Sequence, residues 1–117
     1  MNSRDKGARG ERELAHELER YGFSARRGQQ FAGANGDADV VGLPGVHLEV
    51  KRVEKLNIDN AMEQSRRDAY AESLKMGEAM IPVVMHRRNR KPWLVTLDLE
   101  NFMEMYEKWM KKDLNCL

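Results

Sequence analysis

Residues 37–43 and 46–53 form two runs rich in β-branched and apolar side chains on either side of Pro44-Gly45. This pattern predicts a β-hairpin. Each run also carries an acid where a half-buried strand would hold an apolar or neutral residue, Asp39 in DADVVG and Glu49 in HLEVKR. Burying a carboxylate is costly unless it is paired or binds a cation, so the two acids constrain fold and chemistry together. Strand alternation puts Glu49 and Lys51 on one face and Leu48 and Val50 on the other. A two-residue loop at Pro44-Gly45 would set Asp39 opposite Val50, on the wrong face. A three-residue loop over 43–45 instead pairs Gly42 with Val46 and sets Asp39 opposite Glu49, with the side chains about 5 Å apart. Gly45 suits the left-handed position such loops require.

Two carboxylates at that separation suit magnesium, with manganese able to substitute, because both ions prefer oxygen ligands. Lys51 beside them can orient or deprotonate the attacking water and offset charge on a pentacovalent phosphorus. An isolated E-x-K in a strand reads more simply as a surface salt bridge. The aspartate ten residues upstream, across a glycine-punctuated hairpin, weakens that reading. Glu11 is a further candidate, since Glu11, Leu14 and Leu18 fall at i, i+3 and i+7 and share the apolar stripe of a helix. Its plainer reading is a first-turn acid favoured by the helix dipole.

Elsewhere the pattern predicts a helix from Gly10 to Tyr21 closed by Gly22, and a short strand over 23–27 followed by the loop GQQFAGANG. A second helix is predicted over 60–76, capped by Asp59 and stopped by Gly77. Strands over 79–86 and 93–97 enclose a basic turn. A last helix follows an Asp98 cap, with Phe102, Met105, Tyr106, Trp109 and Met110 as a broad apolar stripe. The fold class is α/β, a mixed central sheet flanked by helices, in one domain over residues 1–117. The methionines of the last stripe read as core or dimer interface. Gln64 reads as a helix-surface residue, and His16, His47 and His86 lack metal-ligand spacing.

Lys and Arg number 20 against 19 Asp and Glu, a net charge of +1, so bulk charge does not announce a polyanion partner. The basic residues are nevertheless clustered at Arg26-Arg27, Lys51-Arg52, Arg66-Arg67 and Arg87–Lys91, which a fold can gather into a phosphate-binding face. No apolar run approaches the ~20 residues that span a bilayer, and the N-terminal stretch lacks the core of a signal peptide. Cys116 is the only cysteine, which excludes a disulfide framework or a cysteine zinc site. A cytoplasmic protein without membrane partners is expected.

The stretch KGARGERELAHELERYGF with Glu11, the segment ADVVG with Asp39, and EVK with Glu49 and Lys51 together resemble the PD-(D/E)XK nuclease superfamily. Within it the chain is similar to archaeal-type Holliday-junction resolvases and their phage-encoded relatives. Ala38 stands where the superfamily motif has proline, a position that is not a ligand. The resemblance implies a restriction-endonuclease-like αβββαβ core plus a C-terminal helix. It further implies metal-dependent hydrolysis of branched DNA such as four-way junctions, with Glu11, Asp39, Glu49 and Lys51 catalytic, and Asp39, Glu49 and Glu11 on the metal. A homodimer with two active sites is also implied. Arg26, Arg27, Gln29, Gln30, Arg52 and Arg66 are the expected DNA contacts. Two other functions compete: a nicking or repair nuclease of the same fold, and a non-catalytic DNA-binding module. Two core-edge carboxylates that repel phosphate argue against the binding module.

Overall fold

The computed structural model describes residues 3–28 and 39–115, with side chains over 7–28 and 39–112. Eight elements follow in the order α1 (Ser3–Glu19), β1 (Arg26–Arg27), β2 (Val40–Val41), β3 (Val46–Arg52), α2 (Ile58–Met76), β4 (Ile81–Arg87), β5 (Leu94–Leu97) and α3 (Leu99–Asn115). The five strands form one sheet in sequential order. Only β3 and β4 run parallel, Leu48 beside Val83 and Glu49 beside Val84, and the other neighbours are antiparallel. A parallel pair needs a long crossover, and α2 supplies it.

The sheet separates two apolar clusters. On one face Leu14 and Ala15 of α1 meet Ala25, Val40, Leu48, Val50 and Val83, with Leu18, Met85, Trp93 and Leu97 around them. On the other, Ala61 and Met62 of α2 pack on Val84 with Leu56 and Ile58. The Ser65 hydroxyl donates to the Val83 carbonyl at 2.9 Å, which satisfies a buried polar group where α2 lies closest to β4.

Several boundaries differ from expectation. The first helix begins at Ser3, so Gly10 lies inside it instead of opening it. Gly10 is buried, and a methyl there would sit 2.7 Å from Cβ of Arg52; the missing side chain lets α1 approach β3. The second helix is capped by Asn57, whose side-chain oxygen accepts from the Asn60 N–H at 3.0 Å, while Asp59 falls in the first turn. Gly77 closes it in the left-handed conformation as expected. Strand β1 is two residues long and β2 is reduced to Val40–Val41. Asp98 precedes α3, but its carboxylate is engaged by Arg66. Asp37, Ala38 and Cys116 lie outside the described residues. The apolar stripe of α3 is exposed, from Phe102 to Met110; Phe102 stacks on Tyr106, which meets Trp109 edge to face. Among the described residues no helix is long and apolar enough to cross a membrane.

Candidate active site

Strand β3 carries the site, and the β2–β3 turn sets what faces it. Val40 pairs with Leu48, the register of the three-residue loop. Gly45 takes φ +82° and the Val46 N–H closes the turn on the Leu43 carbonyl at 3.2 Å. Asp39 precedes β2. Its N–H donates to the Leu48 carbonyl at 2.9 Å, and its carboxylate accepts the Val50 N–H at 2.8 Å. Asp39 is thereby clamped to the backbone of β3 and faces Glu49.

Glu49 is 1% exposed. Burial pushes its pKa up to about 7; the His47 hydrogen bond and Lys51 act to lower it, and the Asp39 carboxyl raises it further. Its Oε2 is buried and no hydrogen-bond donor reaches it among the described residues. A buried carboxylate oxygen left bare beside a second carboxyl is the feature a cation would satisfy.

Glu11 joins from α1 and is 8% exposed. Burial raises its pKa, Arg27 opposes that through a hydrogen bond, and the charge of Asp39 adds to the rise. Arg27 Nε donates to Glu11 Oε1 at 2.9 Å. Lys51 shares the Glu49 face of β3, and its ammonium donates to Gln64 Oε1 of α2 at 3.3 Å. Gln64 is therefore a partner of the strand lysine, not the plain surface residue its position on the helix suggests.

The arginines expected on DNA differ in their surroundings. Arg26 is exposed on β1 and, with Arg12 and Arg27, lines a shallow depression along α1. Arg52 Nε reaches Glu13 at 3.3 Å, where Arg87 also binds. Arg66 grips both oxygens of Asp98, at 3.0 and 2.6 Å, which pulls the Asp98 pKa down. Arg27, Arg52 and Arg66 thus carry carboxylate partners within the chain. Gln29 and Gln30 lie outside the described residues.

One set of polar residues was missed. His47, buried completely on the Glu49 face, places Nε2 3.5 Å from Glu49 Oε1 and Nδ1 against Glu72 Oε2 of α2. His47, Glu49 and Asp68 each offer a ligand atom within 4.8 Å of the others. Burial acts to lower the His47 pKa, but the bonds to Glu49 and Glu72 outweigh it and the pKa rises. The available signal was H-x-E alternation on one strand and two acids four residues apart on the next helix.

Residues 2–116 match the family described as "Phage putative PDDEXK endonuclease". The chain belongs to this PDDEXK endonuclease family. Among solved structures it is similar to Hjc of Archaeoglobus fulgidus, a Holliday junction resolvase from an archaeal hyperthermophile. The identity is 24% and the TM-score 0.57, over 76% of this chain and 73% of that one. At that identity the shared property is the fold, a mixed five-stranded α/β sheet of restriction-endonuclease type. No match was found among curated proteins. PDDEXK nucleases use divalent metal ions, and the convergent carboxylates with the bare Glu49 oxygen fit that requirement.

Proposed function

We propose that this PDDEXK endonuclease cuts branched DNA in a magnesium-dependent reaction, with the four-way junction as its substrate. The carrying observation is the meeting of Asp39, Glu49, Glu11 and Lys51 at the end of the β2–β3 ladder, with Glu49 Oε2 buried and bare. Asp39 and Glu49 would hold the ion, with Glu11 completing the acidic set. A divalent ion there supplies Lewis acidity toward the scissile phosphate. The Val50 N–H fixes the Asp39 carboxylate against β3, which preorganises it toward the ion. Lys51, held by Gln64, orients the attacking water and offsets charge building on phosphorus. Arg26 and Arg12 along α1 hold the DNA backbone, with Gln29 and Gln30 following in the chain; Arg27, Arg52 and Arg66 contribute only after exchanging a carboxylate for phosphate. Two symmetric cuts need two sites, and the exposed aromatic stripe of α3 supports a homodimer as their source.

The test incubates labelled four-way junction, flap, nicked and linear duplex DNA with the protein and magnesium. Asp39→Asn and Glu49→Gln should each cut the junction about a hundredfold more slowly or worse, the scale of losing one preorganised electrostatic group. Both should still bind it, because removing negative charge does not weaken attraction to phosphate. Wild-type cutting by either variant, or undiminished cutting in EDTA, overturns the site assignment. Preference for flap or nicked DNA leaves a nuclease with a different substrate.

A further inference from the structure

Around Glu49, His47 of β3 and Asp68 of α2 are donors that the carboxylate pair of the nuclease site does not use. His47 Nδ1 lies against Glu72, an acceptor, so that nitrogen carries the proton. His47 Nε2 stands 3.5 Å from Glu49 Oε1. That distance is longer than the roughly 2.7–2.9 Å of a charge-assisted hydrogen bond. It suits neighbouring ligands of one ion, since donors about 2.1 Å from a common centre stand about 3–4 Å apart. Asp68, half-buried one turn before Glu72 on α2, brings the third donor within 4.8 Å and lies nearest to solvent, which gives an ion a way in. Glu49, whose Oε1 faces His47, is itself 1% exposed.

We infer that His47, Glu49 and Asp68 form a second cation site, with Glu72 fixing the tautomer of His47, and that this site takes a divalent first-row transition ion, for which manganese serves as the spectroscopic probe. An imidazole ligand favours first-row transition ions over magnesium, which prefers oxygen and retains its waters. Glu72 acts as the outer partner that orients a ligating histidine. Glu49 has two oxygens and belongs to both sites, so the second ion would sit directly behind the first. The inference rests on metal binding alone and stands apart from the nuclease reading.

The experiment is manganese binding to the untagged full chain, followed by calorimetry and by pulsed electron paramagnetic resonance, which detects ¹⁴N coupling from an imidazole on the ion. The chain has three histidines, and His16 and His86 are removed together as His16→Gln/His86→Gln, leaving His47 as the only imidazole. Nitrogen coupling should persist in this variant and in Asp39→Asn, and Asp68→Asn should weaken manganese binding at least tenfold. Coupling absent from the wild type, or lost from the variant that keeps only His47, overturns the site. Unchanged affinity in Asp68→Asn overturns its role as ligand. Because Asp68 is half-exposed and its asparagine variant keeps the size of the side chain, the test does not depend on altering the buried histidine. A chain that binds manganese through His47 yet never cuts DNA sinks the nuclease reading and leaves this site intact; efficient cutting with no nitrogen coupling does the reverse.

Discussion

The two faces of β3 are built from alternate residues of one seven-residue strand, yet they do opposite things. Toward α1, Val46, Leu48 and Val50 meet Leu14 and Val83 in the larger apolar cluster. Toward α2, His47, Glu49 and Lys51 meet Glu72, Asp68 and Gln64. Burial is as complete on the polar side as on the apolar side: Leu48, His47 and Glu49 are all at most 1% exposed. The difference lies in what burial does to each group. On the first face it removes hydrocarbon from water and stabilises the fold. On the second it strips hydration from a carboxylate and leaves an oxygen bare, which costs stability until a cation arrives.

The largest effect should come from the apolar face. Leu48→Ala is expected to lower unfolding free energy by about 2–5 kcal/mol, because a fully buried leucine leaves a cavity between α1 and the sheet. A loss under about 1 kcal/mol in urea titration would mean that this face is not the principal core.

Its neighbour should behave with the opposite sign. The folded pKa of Glu49 is raised from 4.5 to about 7, so the favourable protonated state is fully present below pH 4.5 and is lost as pH rises through about 7. In EDTA the wild type should therefore lose stability across that window, whereas Glu49→Gln should not. Above pH 7 the variant should be the more stable protein, by up to about 3 kcal/mol. Equal destabilisation of the variant at pH 5 and pH 8 would show that the Glu49 carboxylate is satisfied without metal.

Gly10→Ala probes the contact that brings Glu11 near Asp39. A methyl 2.7 Å from Cβ of Arg52 forces α1 and β3 apart, an overpacking cost of about 1–3 kcal/mol set against ~1 kcal/mol of better helix propensity. Cleavage should fall more than stability, because Glu11 moves with the helix. Cleavage at the wild-type rate would remove Glu11 from the machinery.

The smallest change in monomer stability, within about 0.5 kcal/mol, is expected for Trp109→Glu, since Trp109 is 60% exposed on α3. Light scattering should nonetheless show a dimeric wild type and a monomeric variant. A variant that stays dimeric places the interface elsewhere.

Much of this was determined by the sequence. Alternation around Glu49, a left-handed Gly45 and a three-residue loop were sufficient to turn Asp39 toward Glu49, because hairpin register is decided over a few neighbouring residues. Glu11 was legible for the same reason, as a member of a helical stripe with Leu14 and Leu18. The tertiary structure alone decided the rest. His47 and Glu49 meet Glu72 and Asp68 only because a parallel crossover lays α2 over β3, and no periodicity links a strand to a particular turn of a later helix. Gln64 finds Lys51, and Arg66 finds Asp98, through the same packing. The true start of α1 was hidden because Gly10 reads locally as a helix breaker, while its value lies in a contact with Arg52 forty-two residues away. Local rules read well over about ten residues; across the crossover, contacts depend on which surfaces the core brings together.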